Sequence, residues 1–210
     1  MLTQPDSVPV AMRPHQCTVR PYKNSSSHLN KAQGAKSHST GILYDGSQGV
    51  GLVGYADSDY AGDTKKRKST SGYVFMMANG AISWKSKKQS VVATSSCEAE
   101  YIASCLATKE AVWLARLVQD LSCKPKNFAV PIKVDNNGAK DLAYNATVNE
   151  RTKHIDIQYH FVRECALNKK IELQRCDTAD QVADPLTKPL DRQQHRKLCN
   201  RQGLQEAGSL

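Results

Sequence analysis

The sequence predicts an α/β fold, a mixed sheet with helices packed on it. Three observations carry that expectation. Early in the chain, short runs rich in β-branched and aromatic residues follow one another closely, with Asn79-Gly80 as a hairpin signal between two of them. A long stretch from Ser95 to Leu121 then repeats apolar residues at helical spacing. Beyond it, strand-like and helix-like stretches alternate.

The elements follow in order. Residues 1–40 are rich in Ser, Gln, Asn, Pro and Lys without sustained periodicity, and are expected to be largely disordered. The folded domain is expected over 41–190, with a basic helix and tail over 191–210. Gly41–Tyr44 is a short apolar run, and Asp45-Gly46-Ser47 signals a turn. Val50–Tyr55 reads as a strand that ends at the acids Asp57, Asp59 and Asp63. Gly72–Ala78 and Ala81–Trp84 read as two more strands, turned at Asn79-Gly80. In the long helix, Ile102, Ala103, Leu106, Trp113, Leu114, Leu117 and Leu121 form the expected core face. Pro125 and Pro131 mark its exit. Ile132–Asp135 is a buried-type strand, Gly138–Tyr144 a short helix, and His154–Asn168 a second amphipathic helix. Ile171–Arg175 alternates like a strand, a helical turn surrounds Ala183, and a basic helix runs near Arg192–Arg201.

Composition narrows the function. The chain has 210 residues and a formal net charge of +9, which favours anionic partners, nucleic acid first among them. Its seven cysteines are odd in number and form no C-x-x-C pair. Reduced thiols in an intracellular protein, in cytoplasm or nucleus, are expected rather than a disulfide framework or a zinc site. The start of the chain lacks the pattern of a secretory signal, and no apolar run approaches the roughly 18 residues of a membrane span.

Asp57 is placed at the end of a strand and Asp135 at the end of another, Glu98 and Glu100 in the first turn of the long helix, and Asp184 at a late helical turn. Taken singly, each has an ordinary explanation as a strand-end turn residue or a favourable charge at a helix N-terminus. Taken together, carboxylates on buried-type elements need compensation, and hard Mg²⁺ prefers their oxygens.

Six strings carry a more specific signal: GYADSDYAGD (54–63), RKSTSGYVF (67–75), ISWKSKKQSVVATSSCEAEY (82–101), KVDNNGAKDLAYN (133–145), RTKHIDIQYHFVRE (151–164) and ADPLTKPL (183–190). In this order they resemble the ribonuclease H domain of copia-type LTR retrotransposon Pol polyproteins. The resemblance implies a ribonuclease H-like mixed five-stranded sheet. It also implies cleavage of the RNA strand of RNA–DNA hybrids at a D-E-D-D site holding two Mg²⁺, with Mn²⁺ as a substitute.

The resemblance implies Asp57, Glu100, Asp135 and Asp184 as both catalytic and metal-binding. Asp59 is a near neighbour of the first. Asp45, in an Asp-Gly-Ser string like that of bacterial ribonucleases H, is the alternative to Asp57. Glu98 is the alternative to Glu100, but Ser95-x-x-Glu98 reads as a capping box and gives Glu98 a structural task. Lys65, Lys66, Arg67, Lys68, Lys85, Lys87 and Lys88 are expected to contact phosphates, and Ser69, Thr70 and Ser71 to donate to phosphate or ribose. No His lies in Cys176–Ala183, where some ribonucleases H carry one.

The partners implied are an RNA–DNA hybrid, a reverse transcriptase supplied in trans, and no membrane. Gly49-x-Gly51-x-x-Gly54 leads into a strand rather than a helix, so it is not a dinucleotide site. Two other readings stand beside the nuclease. One is a catalytically idle, retrotransposon-derived interaction protein; similar short proteins include ones named secreted RxLR effectors, although no Arg-x-Leu-Arg occurs here. The other is a hybrid-binding module without turnover.

Overall fold

The structure is a computed structural model, and it describes residues 40–48, 51–122, 128–136 and 153–206. The expected disorder of 1–40, apart from Thr40, and the helix expected over Gly138–Tyr144 lie outside the described residues. The strands are β1 (Thr40–Ile42), β2 (Val53–Asp59), β3 (Thr70–Met77), β4 (Gly80–Lys88), β5 (Val130–Val134), β6 (Ile171–Arg175) and β7 (Leu204–Glu206). The helices are α1 (Ser96–Ser122), α2 (Lys153–Leu167) and α3 (Arg192–Arg201).

The main sheet has five strands in the order β4-β3-β2-β5-β6. β2, β3 and β4 form an antiparallel meander, while β2, β5 and β6 run parallel, which makes the sheet mixed. β1 and β7 pair separately as a two-stranded antiparallel ribbon. The ribbon was not legible in Gly41–Tyr44 or in the tail, because each strand is three residues long and neither alternates clearly.

Three boundaries differ from the expectation. β2 does not stop at Tyr55; its ladder with β3 continues to Asp59 opposite Thr70. The acids occupy true strand positions, where their low β-propensity hid the strand. β4 likewise runs on to Lys88, so Lys85, Lys87 and Lys88 lie on an edge strand rather than between a strand and α1. Lysines there discourage further strand pairing. The β3–β4 turn falls one residue earlier than expected. Ala78 and Asn79 take the positive φ values (50° and 60°), and Gly80 opens β4 opposite Met77. Gly80 serves close approach instead: a Cβ there would sit 2.5 Å from the Tyr44 ring.

The two faces of the sheet are packed differently. One carries the larger core, in which Ala56, Phe75, Ile132, Val134 and Leu173 meet α1 and α2. Along α1, Ala99, Ala103, Ala107 and Ala111 recur at every fourth position, each at most 1% exposed, and Ala107 and Ala111 join this core with Tyr101, Cys105 and Leu114. This corrects the expected core face: Ile102, Ala103 and Leu114 are buried and Leu106 packs partly, but Trp113, Leu117 and Leu121 are exposed. Tyr101 stacks on Tyr159 of α2 with ring centroids 4.0 Å apart.

On the other face, Tyr55, Val74 and Met76 are covered by Val182 and Ala183 of the C-terminal segment. Buried Gln181 fastens that segment to the central strand by donating to the Ala56 carbonyl at 2.9 Å. Among the described residues, no helix is long and apolar enough to cross a membrane.

Candidate metal centre

The sheet brings two acids together at neighbouring strand ends. β2 and β5 are parallel neighbours, with Tyr55 opposite Lys133. Asp57 lies two residues further along β2, and Asp135 directly follows β5. Ligands in α/β sheets gather at such carboxyl ends. The third acid arrives from above, where the first turns of α1 place Glu100 over the end of β2. Ser58 donates its backbone N–H and its hydroxyl to Glu100 Oε1, at 3.1 and 2.8 Å. One oxygen from each of Asp57, Glu100 and Asp135 lies within 4.8 Å of the others.

The electrostatics match this crowding. Asp57 is 1% exposed and Glu100 6%. Burial, then repulsion from Asp57, pushes the Glu100 carboxyl up to about 8. Burial and Asp57 raise Asp135 in the same way, against Lys188 and a 3.4 Å hydrogen bond from the Thr178 hydroxyl. Asp59, on the same face of β2, is raised by burial and by Asp57. Glu100 Oε2 is buried and has no hydrogen-bond partner. The cluster therefore carries more negative charge than its protein surroundings offset.

Asp184 is not one of those three, but its carboxyl is hydrogen-bonded to that of Asp57. It is 3% exposed and opens a single helical turn, Asp184–Leu186, with Pro185 behind it. Its carboxyl is lifted to about 6 by burial and then by Asp57. Lys188, one turn on, sets its Nζ 3.0 Å from Asp184 Oδ1 and 4.0 Å from Asp57 Oδ2. Burial pulls the Lys188 ammonium down, but the surrounding acids outweigh it and hold its pKa above the usual lysine value. Thr187 donates its hydroxyl to the same Asp57 Oδ2.

The alternatives left open by the sequence are placed elsewhere. Asp45 accepts from the backbone and hydroxyl of Ser47, at 2.9 and 2.8 Å, in an exposed turn. Glu98 holds the start of α1. Ser95 caps the Glu98 N–H at 3.1 Å, while the Glu98 carboxylate accepts from the N–H and hydroxyl of Thr94, both at 2.6 Å. This is a capping box whose return bond falls one residue earlier than the usual pattern.

The basic strings surround Asp63, which accepts from the backbone of Lys65 and Lys66 and from the Lys88 ammonium at 2.7 Å. The side chains of Lys65, Lys66, Arg67, Lys85 and Lys87 are exposed. Lys68 reaches the Ser90 carbonyl. Ser69 and Ser71 are buried and accept from the Ala61 N–H and the Gln89 amide, whereas Thr70 is half-buried.

Ser58, Thr187 and Lys188 were not singled out by sequence reasoning. For Lys188 a signal existed, because it stands four residues after Asp184 across a Pro-opened turn.

Over 158 residues, 75% of its length, the chain is 42% identical to the Retrovirus-related Pol polyprotein from transposon TNT 1-94 of Nicotiana tabacum. The chain belongs with the copia-type Pol polyproteins. It corresponds to one region of them, spanning 12% of the TNT 1-94 polyprotein. A stretch of 63 residues, 30% of this chain and 44% of the other, is 60% identical to Secreted RxLR effector protein 161 of Plasmopara viticola. Among solved structures, ribonuclease H1 of Halobacterium salinarum is similar, with a TM-score of 0.46 and 16% identity over 65% of this chain and 93% of that one. No protein-family model matches the chain. The five-stranded mixed sheet that the resemblance implied is present, with α1 following the β2–β4 meander.

Proposed function

We propose that this copia-type region is a metal-dependent endoribonuclease that hydrolyses the RNA strand of RNA–DNA hybrids. One observation carries the reading: three carboxylates from β2, α1 and the end of β5 converge within 4.8 Å. The donor set fits a hard divalent ion, Mg²⁺ or Mn²⁺, because every oxygen is a carboxylate's and buried Glu100 Oε2 lacks a partner. A divalent ion held there supplies Lewis-acid stabilisation of the charge that builds on the scissile phosphate.

The chain's own residues do the rest. Asp57, Glu100 and Asp135 would hold one ion, and Asp57 with Asp184 the second of a two-ion site. Ser58 fixes Glu100 so that Oε2 is the oxygen left available. Exposed Lys65, Lys66, Arg67, Lys85 and Lys87 provide sequence-indifferent, salt-dependent attraction for the sugar–phosphate backbone. In the reaction, water adds to phosphorus, the bond to the ribose 3′ oxygen breaks, and a proton passes to that oxygen. The products carry a 5′-phosphate and a 3′-hydroxyl. Preference for RNA would come from 2′-hydroxyl contacts. The protein would act in the cytoplasm or nucleus, with a reverse transcriptase in trans.

The likeness to a protein named as a secreted effector favours a second reading, an interaction protein without turnover. The test is a labelled RNA–DNA hybrid incubated with Mg²⁺ and either the wild-type chain or Asp135→Asn. The nuclease reading expects cleavage by the wild type alone. Binding without cleavage by both supports a hybrid-binding module, and neither binding nor cleavage supports the interaction protein.

A further inference from the structure

Building on the reading of Asp57, Glu100 and Asp135 as an ion site, we infer that Lys188 is a resident cation in the Asp57–Asp184 half of the centre. The resting protein therefore takes up one divalent ion, and a second enters only as Lys188 withdraws.

Three observations lead there. First, the four acids are not arranged equivalently. Asp57, Glu100 and Asp135 form the group within 4.8 Å, whereas Asp184 is joined to Asp57 by a side-chain hydrogen bond and to a lysine ammonium at 3.0 Å. Second, Asp57 Oδ2, an oxygen that a second ion would need, is already engaged. It accepts from the Thr187 hydroxyl and lies 4.0 Å from Lys188 Nζ. Third, Asp57 and Asp184 are 1% and 3% exposed, so their charges need a nearby cation whether or not metal is present. Lys188 meets that need from the adjacent turn, and its side chain is 31% exposed, which leaves it a path outward. An arriving phosphate offers the ammonium another anionic partner. Substrate would thus draw Lys188 off the acids at the moment when a second ion is useful.

The test is manganese binding to the metal-free full chain, with stoichiometry read by electron paramagnetic resonance and affinity by titration calorimetry. Wild type, Lys188→Met and Lys188→Arg are compared. Wild type and Lys188→Arg are expected to bind one ion. Lys188→Met is expected to bind two, the second about tenfold tighter or more than any second ion in wild type. Wild type binding two ions of similar affinity overturns the inference, as does Lys188→Met binding one ion as wild type does. Should Lys188→Met not fold, the wild-type stoichiometry decides: one ion supports the inference and two contradict it. Manganese bound by none of the variants would sink the ion-site reading itself, an outcome distinct from a correct site with the wrong stoichiometry.

Discussion

Two acids six residues apart, Asp57 and Asp63, sit in opposite surroundings. Asp57, with Glu100 and Asp135, is enclosed among other acids, and burial pushes Glu100 up to about 8. Asp63, six residues after Asp57, lies at the surface. The Lys88 ammonium and the Lys65 and Lys66 amides hold it down at about 2. The same chemistry is thus spent in two ways. At Asp63 the carboxylate is satisfied by the protein and ties a basic turn to an edge strand. At the strand ends it is left wanting charge, at a cost in stability that a purely structural cluster would not retain.

The largest expected contrast is catalytic. Asp135→Asn should lower hybrid cleavage by about 10²- to 10³-fold or more, the scale of losing a group that stabilises transition-state charge. Asp63→Asn should leave cleavage near wild type, and a similar loss there would erase the distinction between the two groups.

The next contrast is in stability against pH. Glu100 has a folded-state pKa raised above its unfolded value of 4.5, so the metal-free folded protein binds more protons than the unfolded chain between 4.5 and about 8. Its contribution is full below 4.5 and is lost as pH rises toward 8. Melting temperatures in a chelator should therefore fall over that window. Added Mg²⁺ should restore them, most at the alkaline end. Glu100→Gln should flatten the decline and abolish the restoration, and an unchanged profile would contradict the assigned environment.

The smallest effect belongs to Asp63, whose pKa is lowered. Its stabilisation is present above 3.8 and lost as pH falls through about 2. Asp63→Asn should lower the melting temperature slightly at pH 7 and by less near pH 2, as read by calorimetric scans at the two values.

How much of this was legible in the sequence follows from what each element must satisfy. β6 was legible because its alternation matches its burial, with Ile171 and Leu173 in the core. The end of β2 was not, because Asp57 and Asp59 sit in the ladder despite poor strand propensity. The core face of α1 was legible only in part, because Trp113, Leu117 and Leu121 share the helical spacing of buried Ile102, Ala103 and Leu114 yet are exposed. Ala99, Ala107 and Ala111 are buried instead. In the centre, family strings pointed to Asp57, Glu100, Asp135 and Asp184, but spacing alone could not show that three of them converge. Ser58 and Lys188 escaped notice because serines and lysines are common, and only the fold reveals what these two touch.

The most direct test of the central claim is an anomalous difference map from crystals of this chain soaked in manganese. The account predicts a peak bounded by carboxylate oxygens of Asp57, Glu100 and Asp135, with Glu100 Oε2 among its ligands. No density there, with Glu100 still hydrogen-bonded to Ser58 alone, would contradict it.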